Sequence, residues 1–145
     1  MSLAGFLSPA LMASVSIQVL CQMFKVVLYS IKNRKLGWHR LIHPAGMPSA
    51  HSAFVTALTV SVAIHRGVNS DFFALAFVFS IIIIYDSIRL RGAVQTHSRL
   101  LAKLLELLPE QSRQPVPQLI GHTPAELAVG VAVGGGWAVL FSQLF

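Results

Sequence analysis

At 145 residues the chain has room for one domain, 1–145, yet 54% of it is apolar and its mean hydropathy is clearly positive. A soluble globule of that size cannot hide so much apolar surface, so the composition points to an integral membrane protein. Eleven lysines and arginines against five acidic residues give a net charge of +6. The cations sit between apolar runs rather than along a polar face interleaved with aromatics, which argues against nucleic acid and for anionic lipid headgroups or a phosphorylated substrate.

About 20 apolar residues span a bilayer as a helix. The first such run is 9–31, carrying Cys21 and, near its far end, Lys25. It begins almost at Met1, without a basic leading region or a small-residue cleavage pattern, and reads as a retained helix. A single cysteine makes no intramolecular disulfide. A polar, basic stretch at 32–48 contains Gly37, Pro44 and Gly46 and reads as a loop or short interfacial element. The second run, 49–65, is short for a full span. Residues 66–70 form a turn, and Asp71 is placed to cap the next helix.

The third run, 72–92, includes Ile81, Ile82, Ile83 and Ile84; its length and lack of turn signals favour a spanning helix over a buried strand. From 93 to 108, leucines at helical spacing alternate with Arg99, Lys103 and Glu106, as in an amphipathic helix lying at the membrane surface. Residues 109–117 break it. The fourth run, 122–145, holds Gly130 and Gly134, small enough at that spacing for another helix to come close. The expected fold is an all-α integral membrane bundle of about four transmembrane helices plus an amphipathic interfacial helix.

Alternate crossings bring three separated segments to one face: the loop before the second run, the end of the third run, and the start of the fourth. That face would hold Lys32, Arg34, Lys35, Arg40, Arg89, Arg91, Arg99, Lys103 and Arg113, nine of the eleven basic residues. The positive-inside rule makes it cytoplasmic, although a cationic substrate pocket would supply a second reason for the same charges.

Three clusters on this face can carry chemistry. Gly46-Met47-Pro48-Ser49-Ala50-His51-Ser52 opens the second helix. Ser49 suits an N-cap, the first-turn amides suit an anion, and His51 can give a proton to a leaving oxygen. The plainer reading is a capped helix start with an interfacial histidine. In Tyr85-Asp86-Ser87-Ile88-Arg89-Leu90-Arg91, Asp86 and Arg89 are three apart and can neutralise one another, leaving Arg91 for a phosphate. Alternatively the arginines snorkel to lipid phosphates.

The last cluster is Gly121-His122-Thr123-Pro124-Ala125-Glu126. If the helix reaches back to His122, Glu126 four residues on can hold one ring nitrogen and turn the other toward a substrate as a nucleophile. The competing reading is a capping box, with Thr123 as N-cap, Pro124 first in the helix and Glu126 third. His39, His43, His65 and His97 have no tight spacing and read as interfacial, with no metal site expected.

Taken together, Gly-Met-Pro-Ser-Ala-His-Ser at 46–52, Tyr-Asp-Ser at 85–87 with Arg91, and Gly-His-Thr-Pro-Ala-Glu at 121–126 resemble the divergent type 2 phosphatidic acid phosphatase family, also described as acid phosphatase/vanadium-dependent haloperoxidase-related. The resemblance runs from Lys25 to about Gly136. It implies an all-helical, cofactor-free and metal-free hydrolase of phosphate esters working through a phosphohistidine. On that likeness His122 is the nucleophile, Glu126 its orienting carboxylate and His51 the general acid. Ser49, Lys25, Arg34 and Arg91 would bind the phosphate, with Asp86 and Arg89 in support.

Departures accompany the likeness: Glu126 stands where the broader superfamily usually has Asp, Arg89 where a glycine is expected and His97 where glutamine is common, and no Ser-Arg pair precedes His122 by six residues. The function so implied is a membrane phosphatase of a lipid phosphate or diphosphate. A non-catalytic headgroup-binding or small transport component would keep the cationic pocket without turnover, and a scaffold would oligomerise through the glycines of the fourth helix. Partners expected are the lipid phosphate and the surrounding membrane lipids, and the bundle leaves surface for a homodimer.

Overall fold

The computed structural model describes residues 8–34, 46–107, 109 and 123–144, which form four helices: α1 (Pro9–Asn33), α2 (Ala50–Arg66), α3 (Asp71–Glu106) and α4 (Pro124–Leu144). Each start carries a local signal. The Ser8 hydroxyl accepts the Leu11 N–H at 3.2 Å ahead of Pro9 at the first helical position, where a missing N–H costs nothing. α1 ends on Arg34, which takes the left-handed conformation with φ 50°. α2 closes on Gly67, φ 82°, whose N–H bonds the Ala63 carbonyl at 3.0 Å. The cap of α3 is Ser70, not Asp71: the Ser70 hydroxyl accepts the Phe73 N–H at 3.2 Å. Asp71 is the first residue inside the helix, where its charge complements the helix dipole.

α1, α3 and α4 are long and apolar enough to cross a membrane. α3 is one continuous helix of 36 residues, roughly 54 Å at the usual rise per residue against a hydrocarbon thickness of about 30 Å. The amphipathic stretch expected as a separate interfacial helix is therefore the last part of α3. No proline occurs between Asp71 and Glu106 to interrupt it, and Leu107 ends the helix just ahead of Pro109.

α2, only 17 residues long, is the hub on which the other three pack. Its inward positions are small: Ala50, Ser52, Ala53, Ala57 and Ser61 are all buried, so neighbouring backbones come close where lipid supplies no hydrophobic drive for association. Against α4 the approach is closest. A Cβ on Gly130 would stand 2.6 Å from the Ser49 carbonyl oxygen, and one on Gly134 would run into the backbone of Ala53. At Gly130 and Gly134 the glycine face expected to receive another helix receives α2 of the same chain.

Hydrogen bonds fix the register. Thr59 Oγ1 lies 2.7 Å from Ser80 Oγ and 3.2 Å from the Ala76 carbonyl, and Ser80 Oγ donates to the Val55 carbonyl at 3.1 Å, tying α2 antiparallel to α3. The indole N–H of Trp137 donates to Ser16 Oγ at 2.9 Å, tying α4 to α1. α2 and α4 run parallel, with α1 and α3 opposed to them. One end of the bundle thus carries the C-terminus of α1, the N-termini of α2 and α4, and the later half of α3. Large apolar side chains such as Phe24, Phe72, Leu75 and Phe79 cover the outside, as lipid contact requires.

Candidate functional site at the shared helix starts

Two helix starts, each set by its own capping residues, meet in one place. Glu126 and Thr123 form the reciprocal capping box: the Thr123 N–H donates to Glu126 Oε2 at 3.0 Å and the Glu126 N–H to Thr123 Oγ1 at 3.3 Å. Ser49 caps α2, its hydroxyl accepting the Ser52 N–H at 3.4 Å and the Ser52 hydroxyl at 3.1 Å. The two starts are then bonded directly, since the Ser49 N–H donates to the Glu126 carbonyl at 3.1 Å. Two helix N-termini pointing the same way add their positive ends, which is an environment for an anion.

Cationic charge enters from α1. Lys25 is buried, 7% exposed, and close enough to Glu126 for the two charges to act on one another. An ammonium at membrane depth needs such a counter-charge or a bound anion. Of the residues expected at the site, Ser49 and Glu126 are joined directly. Arg34 is exposed at the end of α1, on the same end of the bundle.

Other expected residues are placed differently. The helix begins at Pro124, and the Glu126 carboxylate accepts the Thr123 N–H in the capping box. His122 itself lies outside the described residues, as does the side chain of Arg91. Asp86 and Arg89 are both exposed on α3, and no ion pair joins them among the described residues. Each faces the surroundings, where water or a headgroup solvates it without the entropy cost of pairing two long side chains. Among the described residues of that segment the buried one is Ser87, whose hydroxyl donates to the Ile83 carbonyl at 2.8 Å.

His51 sits in the first turn of α2, but not on the side that meets α4. Ser49, Ser52 and Ala53 take that side. At about 100° per residue, His51 faces nearly the opposite way. It opens on a groove of about 420 Å³ between α1 and α3, floored by α2 and shared with Gln18, Val19 and Phe54. Gln18 and Gln22 were not anticipated from the sequence. Their spacing to Lys25, four then three residues, was the available signal for a polar stripe on an apolar helix.

Of the remaining histidines, His65 ends α2 with Nδ1 2.8 Å from the Ser61 carbonyl, His97 is exposed on α3, and His39 and His43 lie outside the described residues. Among the described residues no cluster of three His, Cys, Asp or Glu side chains is placed to hold a metal.

The chain is similar to the membrane protein YuiD of Bacillus subtilis (strain 168), itself described as uncharacterized: 29% identical over 138 residues, covering 86% of this chain and 87% of that one. No solved structure matches it. The model of the divergent PAP2 family matches residues 6–136, which include the α1 lysine, both bonded helix starts and the glycines that bring α4 against α2. On that match, and with three helices fit to cross a bilayer, the chain belongs to the divergent PAP2 family and is a membrane protein.

Proposed function

We propose that the protein hydrolyses a lipid phosphate or diphosphate at the paired helix starts, through a phosphohistidine and without a metal. The observation that carries this reading is the Ser49 N–H to Glu126 carbonyl bond. It holds the segment bearing His51 against the segment that follows His122, at the end of the bundle where α1 carries the buried Lys25. In this reading all four helices form the membrane body, α2 shielded by the others, and the excess of basic residues at this end supports a cytoplasmic site.

In the first step the ring nitrogen of His122 forms a bond to phosphorus as the bond to the leaving oxygen breaks, the lipid's own oxygen in a monophosphate and the bridging oxygen in a diphosphate, and His51 protonates that oxygen. Water then attacks the phosphohistidine, giving its proton to His51, as the P–N bond to His122 breaks and inorganic phosphate leaves. Lys25, Arg34, Arg91 and the amides near Ser49 neutralise the equatorial oxygens, the type of interaction that contributes most in phosphoryl transfer. Glu126 stiffens the turn that carries the nucleophile and balances Lys25 at rest.

A second reading, a headgroup binder without turnover, draws on the direction of His51, which faces away from α4, and on Glu126 being engaged in a capping box. Burst labelling with ³²P-phosphatidate in nanodiscs separates the two. The hydrolase predicts an acid-labile, base-stable protein adduct that His122→Ala abolishes. Normal phospholipid binding by His122→Ala, with no adduct and no turnover by the wild type on any lipid phosphate, would leave the binder.

A further inference from the structure

The end of the bundle away from the paired helix starts carries the beginnings of α1 and α3 and the end of α2. A cavity of about 490 Å³ opens there, walled by Ser8 and Ala10 at the start of α1, by Val62, His65 and Arg66 of α2, and by Phe72 of α3. Its depth follows from the length of α2. Seventeen residues rise about 26 Å, a little less than the hydrocarbon thickness of about 30 Å. With Ala50 at one boundary, Arg66 arrives just inside the other, where a side chain of its length reaches headgroup phosphates.

Arg66 is the one lysine or arginine at this end among the described residues. A basic residue closing α2 complements the helix dipole, but a lysine would serve that purpose equally well. The guanidinium has a more specific setting. Its Cζ stands 5.9 Å from the centroid of the Phe72 ring, within the range of cation–π attraction. No carboxylate pairs with it among the described residues, although Asp71 is next to Phe72 in the chain. A planar group held by its face keeps its edge N–H groups for an acceptor, and two oxygens of a phosphate match that fork.

The other polar groups of the cavity suit the same ligand. Ser8 Oγ accepts the Leu11 N–H, and its own O–H has no acceptor among the described residues. His65 is held through Nδ1, 2.8 Å from the Ser61 carbonyl. A carbonyl only accepts, so Nδ1 carries the proton of the neutral ring and Nε2 is left as an acceptor for a hydroxyl. Ala10, Val62 and Phe72 give the cavity an apolar side, which a bare oxyanion leaves unfilled and the first carbons of an acyl chain cover.

We propose that this cavity is a non-catalytic site, separate from the paired helix starts, for an anionic phospholipid with a hydroxyl-bearing headgroup from the opposite leaflet. Arg66 and Ser8 donate to the phosphodiester oxygens, and His65 Nε2 accepts from the headgroup hydroxyl. The chain begins against Val62 and Phe72. Binding here does not depend on hydrolysis at the other end.

The probe is a phosphatidylglycerol with a diazirine close to one acyl carbonyl, placed in phosphatidylcholine nanodiscs, with adducts mapped by peptide mass spectrometry. Wild type should be labelled within residues 62–72, and Arg66→Gln should lose about tenfold of that labelling. Arg66→Lys keeps the charge at the end of α2 without the planar fork and should lose about threefold, which also serves should the glutamine variant not fold. Arg99→Gln, at an exposed arginine on the later part of α3, should match wild type. A phosphatidylcholine carrying the same diazirine should label the wild type about tenfold less. Excess inorganic phosphate should leave the adduct in place.

No adduct within 62–72, or equal labelling of wild type and the folded Arg66 variants, overturns the site. Equal labelling by the two lipids overturns it too, since that describes an unselective apolar crevice. Removal of the adduct by inorganic phosphate makes the ligand a soluble oxyanion and defeats the lipid assignment. His65→Phe should weaken the preference for phosphatidylglycerol, and an unchanged preference refutes the hydroxyl contact.

Discussion

Gly134→Ala adds one methyl group at the closest approach in the molecule. Its Cβ would overlap the Ala53 carbonyl oxygen and stand 2.8 and 2.9 Å from the Ala53 Cα and carbonyl carbon, where carbon atoms normally rest about 3.5 to 4.0 Å apart. The obstructing atoms are backbone and cannot rotate away, so α4 must back off by roughly 1 Å, a gap that forfeits a quarter to a half of the dispersion energy of the contacts it opens. Overpacking of this kind costs about 3 kcal/mol, the upper part of its usual range. The better helix propensity of alanine returns about 1 kcal/mol, leaving a net loss of about 2 kcal/mol.

Gly136→Ala is the internal standard, since nothing lies within 4 Å of its Cβ position. It receives the propensity gain without the clash. Thermal unfolding in detergent micelles should separate the two variants by about 3 kcal/mol, or on the order of 6 to 12 °C in a protein of this size. Because the same interface holds Ser49 against Glu126, Gly134→Ala should also lose turnover while Gly136→Ala keeps it. Equal melting temperatures for the two alanine variants would refute the close-packing argument.

Three further outcomes follow from the geometry. Lys25→Met removes a buried cation and should lower kcat/KM on a lipid phosphate by about 10²–10³, with steady-state kinetics in nanodiscs as the check. Glu126→Gln keeps an acceptor for the Thr123 N–H and should melt within about 0.5 kcal/mol of wild type, whereas Glu126→Ala loses the box and about 1 kcal/mol; equal stability of the two would discount the capping role. Thr59→Val with Ser80→Ala deletes the polar ties between α2 and α3 and should cost about 0.6 to 1.7 kcal/mol by chemical denaturation in micelles, with the site at the opposite helix starts keeping its activity.

Much of the architecture is legible in local chemistry. Apolar length marks α1, α3 and α4 as spans, Ser49 and Thr123 announce their helices as caps, and glycine at 130 and 134 signals a close helix contact. These readings succeed because helix length, capping and backbone access depend on residues within a turn of one another. What fills the glycine contact is a different kind of fact. α2 occupies it only because the chain doubles back so that Ser49 reaches Glu126, a pairing between residues far apart in sequence. The continuity of α3 past residue 92 was missed because amphipathic spacing looks the same on a separate helix and on the end of a long one.

The sequence by itself determined which side chains could do chemistry and that the chain belongs in lipid, since both depend on residue type and on apolar length. Only the tertiary structure decided which way those side chains face. The angle of His51 about α2 and the burial of Lys25 on α1 both follow from how four helices rotate and slide to bring their small residues together. Packing sets those rotations, and packing depends on every helix at once.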